Sequence, residues 1–196
     1  MKRSLLALSL AVALTAPSMA DTYHAHLSYV QLSGVKSFND SDYNPLSVNG
    51  EMQAQMTSDW LFRGGYSQGK EDDIEYDEIY ATLGYILADS GSTAHIIEIG
   101  GGRTELDVNY DAISIQTGVD QAGIGYRFWW HLSRRWESEF DVTGWFPLED
   151  DYTDDSFVWS TQLRMNYYVS DHWGFGGQYR YSEYGDNVGL YVRYVF

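Results

Sequence analysis

Glu137, Glu139 and Asp141 recur at every second position of one segment, and Arg127, Arg164, Arg180 and Arg193 each stand in phase with glycines or polar residues in other segments. Successive side chains of an extended strand point to opposite sides, so each of these sets shares one strand face. Two chemistries are open to such a constellation. Shut away from water, the charges must pair, because a buried charge without a partner is costly. Arranged along a pore, they would set the selectivity of an ion path. We carry forward the first reading, a polar interior that plugs itself, with a narrow cation-preferring path as the alternative.

A second group of candidates is acidic. Glu71, Asp72, Asp73 and Glu75 cluster in one segment, and Glu149, Asp150, Asp151, Asp154 and Asp155 in another. Carboxylate oxygens at this density suit Ca²⁺ or Mg²⁺, but the EF-hand spacing with its glycine is missing. A solvated, self-repelling loop surface is the plainer expectation.

Catalytic chemistry finds no footing. There is no cysteine, which excludes thiolate nucleophiles and cysteine metal sites. No Gly-x-Ser-x-Gly is present, and no catalytic residue or cofactor is assigned. His24, His26, His95, His131 and His172 all fall at one set of segment ends or turns. They are read as filling a rim, with a metal site there as the alternative, since only His24 and His26 stand at i, i+2. Gly100, Gly101 and Gly102 are followed by no helix, so close strand packing or a bend explains them better than a phosphate loop.

The elements that must position these residues are strands. Phe157, Trp159, Thr161, Leu163, Met165, Tyr167 and Val169 alternate with Ser160, Gln162, Arg164 and Asn166, and the same period of two recurs along the chain while the helical period does not. Ten strands are expected, at 23-33, 48-57, 60-68, 77-87, 95-104, 119-130, 136-146, 157-169, 173-184 and 188-196, with eight as the alternative. Val30 and Leu32 fall out of phase with Leu27 and Tyr29, which suggests a bulge in the first strand. One polar and one apolar face per strand fits a closed antiparallel up-and-down β-barrel crossing a membrane, lipid outside and a polar lumen within.

The chain ends and composition agree. Lys2 and Arg3, the apolar run Leu5 to Leu14, and Pro17 to Ala20 have the order of a cleavable secretory signal, leaving 21-196 as one barrel domain. The run is too short for a membrane-spanning helix. The net charge of −16, which becomes −18 without Lys2 and Arg3, argues against nucleic acid. Short turns near 58-59, 88-94, 131-135 and 170-172 alternate with longer, mostly acidic connections at 34-47, 69-76, 105-118 and 147-156, the hairpin at 185-187 being the short exception. Short turns are expected in the periplasm and long loops outside. That places Trp60, Trp129, Trp130, Trp136 and Trp173 in one aromatic belt, with Trp145 and Trp159 near the other.

The last 24 residues, from Trp173-Gly-Phe-Gly-Gly-Gln-Tyr-Arg-Tyr to Tyr191-Val-Arg-Tyr-Val-Phe196, resemble the closing hairpin of the OmpA/OmpX-like outer-membrane β-barrel family. Gly123-Ile-Gly-Tyr-Arg-Phe128 is similar to a second strand of that family. The resemblance implies a bacterial outer-membrane location and a final strand, with Tyr194 and Phe196, read by the barrel-assembly machinery. Outer-membrane lipid and lipopolysaccharide are the expected surroundings, the latter reached through divalent cations on the acidic loops. A monomer is expected, because a closed barrel has no free edge. The expected role is structural or surface-interactive, in adhesion or envelope integrity, with a channel for small solutes as the alternative.

Overall fold

The computed structural model describes residues 26–38, 44–110, 113–148, 157–183 and 185–196. The expected signal segment at 1-20, His24, and Glu149, Asp150, Asp151, Asp154 and Asp155 lie outside the described residues.

Ten antiparallel strands close on themselves in sequence order, β1 pairing with both β2 and β10. They are β1 (Tyr29–Phe38), β2 (Leu46–Gln55), β3 (Trp60–Glu71), β4 (Ile74–Asp89), β5 (Thr93–Tyr110), β6 (Ile113–Ser133), β7 (Trp136–Pro147), β8 (Val158–Tyr168), β9 (Trp173–Ser182) and β10 (Gly185–Val195). Closure at ten resolves the choice between ten strands and eight, and every backbone edge is paired.

The side chains are sorted in the reverse of a water-soluble protein. Val30, Leu32, Ile79, Ile99, Phe175, Leu190 and Val192 are exposed on the outer wall, while Gln31, Gln53, Arg63, Glu98, Arg127, Glu139 and Arg193 are buried inside. An apolar belt around a polar interior is the pattern of a barrel whose solvent is lipid.

The start of β1, the end of β10 and the turns joining β2 to β3, β4 to β5, β6 to β7 and β8 to β9 lie at one end, the termini end. At the other end the strands run further than the sequence suggests. The segments 69-76 and 105-118, expected as loops, are mostly strand. β3 and β4 meet at a tight turn where Asp72 takes a positive φ of 52°, and β5 and β6 run to 18 and 21 residues. A strand of about 9–11 residues suffices to cross a bilayer, so β4, β5 and β6 continue as a ribbon beyond the apolar belt. Its outer face carries Arg103 in ion pairs with Glu105 at 2.7 Å and Asp120 at 3.0 Å.

The first strand corrects two expectations. It begins at Tyr29 rather than at 23, and it pairs without a bulge on either side. Val30 and Leu32 face outward, whereas Leu27 and Tyr29 are buried, so both phases are apolar without any break in pairing. Bulges occur instead between Ile86 and Ala88 and between His131 and Ser133. The aromatic belt is thinner than expected as well. Trp60, Trp136 and Trp173 are exposed at the termini end, but Trp129 is buried in the lumen against His131, and Trp145 lines the interior at the far end. Trp130 is buried and stacked on Phe128.

Candidate functional site

The lumen is built in layers from the termini end upward. Leu27, Leu61, Ile86 and Ile96 form a buried apolar cluster, with Tyr29, Tyr168 and Val195 packed as a second one. Above them lies the charged layer. Every strand that contributes to it does so through the inward phase of its alternation, which places an arginine or a carboxylate at mid-height on β2, β3, β5, β6, β7, β8 and β10.

Four guanidiniums interlock there with four carboxylates. Arg164 reaches both oxygens of Glu51 at 3.0 Å and one oxygen of Glu139 at 3.4 Å. Arg193 also pairs with Glu139, and its Nε and Nη2 donate to the Gln31 side chain at 3.0 and 2.8 Å. Arg63 donates to Glu98 at 2.5 Å, and Arg127 pairs with the other oxygen of the same carboxylate. Asp141 sits 3.4 Å from Arg127 Nε and 3.9 Å from Arg63 Nη1. Tyr29 donates its hydroxyl to Glu51 at 2.7 Å, and Tyr80 donates to the other Glu51 oxygen. The charges of the layer cancel, and forked guanidinium contacts give it geometric definition. All eight are buried, so removing one would strand its partners.

Arg127, Glu139, Asp141, Arg164 and Arg193, expected as lumen charges, are thus gathered in one cluster. Arg180 is not in it. It lies in the wall of a cavity of about 380 Å³ at the far end, above the charged layer, and makes no ion pair among the described residues. Arg63, Arg164, Glu51 and Asp141 also line this cavity, with Tyr80 and Trp145 on its sides. Glu137 is separate too. It lies toward the termini end, where it accepts a hydrogen bond from Tyr168 at 2.6 Å and contacts His26 Nδ1 at 2.5 Å and His131 Nδ1 at 3.4 Å.

Sequence reasoning missed Arg63 and Glu98, and Glu51 with them. A usable signal existed in the register: Arg63, Glu98 and Arg127 share the inward phase with their neighbours, once the strands at 60-68 and 95-104 are placed correctly.

The acidic candidates of the first cluster do not converge. Glu71 accepts from the Asn44 amide and lies 4.0 Å from Lys36, while Asp72 and Asp73 are exposed at the turn. Among the described residues the group with metal-ligating geometry is His26, His131 and Glu137. At the end of β10, Tyr194 packs outside against Trp173 with ring centres 5.0 Å apart, and Phe196 is exposed beyond it.

No family model and no curated protein matches this chain. Among solved structures, the N-terminal β-barrel domain of Pseudomonas aeruginosa OprF is similar with a TM-score of 0.50 and 10% identity, over 85% of this chain and 97% of that one. Neisserial surface protein A, at 11% identity over 86% and 97% of the two chains, and the KdgM porin, at 5% over 85% and 99%, both give 0.48. At this identity the likeness is one of fold, and the fold of this chain is that of the small, OmpA-like outer-membrane β-barrels.

Proposed function

We propose that this protein is an outer-membrane scaffold with a closed lumen, which sets its termini end in the periplasm and displays the β4–β6 ribbon at the cell surface as an interaction element. The observation that carries this reading is the charged layer: four arginines and four carboxylates, all buried, knit opposite walls of the lumen together at mid-height. A conducting path needs water-filled width at its narrowest point, and the burial of these eight side chains supports a lumen closed at that height, as small barrels allow.

The ribbon supports the interactive half of the proposal. Its inward phase carries Ile74, Tyr76, Leu106, Val108 and Ile115, the last of these 58% exposed, while its outward phase carries Glu75, Asp77, Glu105, Asp107 and Asp120. An amphipathic ribbon held above a membrane offers contact surface that envelope anchoring alone does not require. The acidic face would meet cations, directly or as bridges to lipopolysaccharide phosphates.

The second reading, a cation-preferring channel, is favoured by one observation: the cavity at the ribbon end leads down to the charged layer like half of a pathway. Planar-bilayer recording of the refolded protein separates the two. The scaffold reading expects no discrete conductance from folded wild type. Stable cation-selective steps in the wild type would replace it with the channel, and their loss or change in Arg164→Ala would place the charged layer on the path.

A further inference from the structure

Glu137 is the odd charge of the interior. The charged layer balances without it, and it is the buried carboxylate that has no arginine or lysine partner among the described residues. What faces it instead is a pair of imidazoles. The ligand atoms of His26, His131 and Glu137 all lie within 4.8 Å of one another. They come from three places in the chain: the residues leading into β1, the end of β6 and the start of β7. In the barrel order β10, β9 and β8 stand between β1 and β7 on one side, so the three residues meet across the bore rather than along one wall.

The surroundings hold these groups in place. Tyr168 donates to one oxygen of Glu137, which leaves the other oxygen turned to both imidazoles. The His131 ring stands edge-on to Trp129 at 4.4 Å, and the His26 ring packs on Tyr168 at 4.7 Å. Aromatic walls and a hydroxyl that orients the carboxylate are what a metal site places around its ligands.

We propose that His26, His131 and Glu137 bind one zinc ion at the termini end of the lumen, tying opposite walls of the barrel together. Two imidazoles and a carboxylate are a zinc donor set that leaves a fourth position for water. Ca²⁺ and Mg²⁺ prefer all-oxygen sites. Ligand atoms around a tetrahedral zinc stand about 3.4 Å apart, given bond lengths near 2.0–2.1 Å. The His131 to Glu137 separation of 3.4 Å already meets this, His26 stands closer to Glu137 at 2.5 Å and has to turn outward by about 1 Å to match it, and the two imidazoles lie within 4.8 Å of each other.

The test is a chelator-competition titration of the refolded full-length barrel in detergent with Zn²⁺ alone, repeated in millimolar Mg²⁺ to occupy the acidic surface. Wild type should take up one equivalent that Mg²⁺ does not displace. His26→Ala and Glu137→Gln should each weaken it by about 100-fold, and Tyr168→Phe by about tenfold. His26 precedes β1 and is partly exposed, so His26→Ala should keep the heat-modifiable gel shift of a folded barrel. Zinc should also raise the temperature at which wild type loses that shift, and leave His26→Ala unchanged. X-ray absorption of the loaded wild type should show imidazole scattering from two histidines. Absence of stoichiometric binding, equal affinity in His26→Ala, or an all-oxygen shell would overturn the site.

Discussion

The guanidinium carbon of Arg193 lies 3.8 Å from the centre of the Tyr29 ring, and these residues belong to the last strand and the first. β1 and β10 meet in full register from Tyr29 with Val195 to Phe38 with Asp186. Their backbone pairing closes the barrel, and Arg193 reinforces the joint from inside by stacking on Tyr29, forking onto Gln31 of β1 and reaching Glu139 of β7. A single side chain therefore links the first and last strands to a third.

Arg193→Leu should then destabilise the barrel by about 3–5 kcal/mol, because Glu139 keeps only the longer contacts to Arg164 and Asn166, both at 3.4 Å. Arg193→Lys retains the charge but not the fork or the flat stacking surface, and should cost about 1–2 kcal/mol. Reversible urea unfolding in lipid vesicles, followed by tryptophan fluorescence, would measure both. Equal loss in the two variants would mean that charge is unimportant at the seam.

Within the charged layer, the two carboxylates facing Arg63 and Arg127 should behave differently. Glu98 is held at hydrogen-bond distance by both guanidiniums, one on each oxygen, whereas Asp141 stands 3.4 and 3.9 Å from them beside the open cavity. Glu98→Gln should cost about 3–5 kcal/mol and Asp141→Asn under about 2 kcal/mol in the same unfolding measurement. The reverse order would show that net charge in the lumen matters more than hydrogen-bond geometry.

Glycine spacing gives a prediction about strand packing. A Cβ on Gly100 would press on the Ala81 carbonyl oxygen and come within 2.8 Å of the Thr82 Cα, both backbone atoms of the neighbouring strand. On Gly50 it would meet nothing within 4 Å. Gly100→Ala should thus cost about 1–3 kcal/mol through forced backbone movement, and Gly50→Ala should be near neutral. Matched thermal loss of the gel shift would show that β5 can move away from β4 without penalty.

How much of this was legible in the sequence follows from which residues sit inside. β8, β9 and β10 alternate cleanly because their inner faces, Val195 at the termini end apart, are mainly polar, tyrosine or glycine against apolar outer positions such as Leu163, Phe175 and Leu190. β3 and β5 do not, because their inner faces change character with depth. Leu61 seals the termini end two residues before Arg63, and Ala94 and Ile96 do the same before Glu98, while Ile97 and Ile99 face outward. Apolar residues on both phases hide the charge that follows, which is why Arg63 and Glu98 were missed. In the ribbon the confusion is the opposite. Acidic residues on the outer face, such as Glu75, Glu105 and Asp107, give 69-76 and 105-118 the composition of loops, although Ile74, Tyr76, Leu106 and Val108 keep the strand period beneath it.

The lipid-facing wall yields the prediction that bears most directly on where the protein lives. Leu190 stands at the middle of β10, paired with Gly34 on one side and Gly177 on the other, and is 75% exposed. With water as solvent, replacing so exposed a leucine by arginine would be nearly free. With hydrocarbon as solvent it should cost about 2–4 kcal/mol at the bilayer midplane. Leu46, near the start of β2 and 64% exposed, lies close to the edge of the belt, so Leu46→Arg should cost at most about 1 kcal/mol by the same depth dependence. Unfolding both variants in vesicles therefore reads the position of the membrane along the barrel. A large penalty at Leu190 with a small one at Leu46 fixes the belt where the structure puts its apolar side chains, and two small penalties would remove the membrane from the argument.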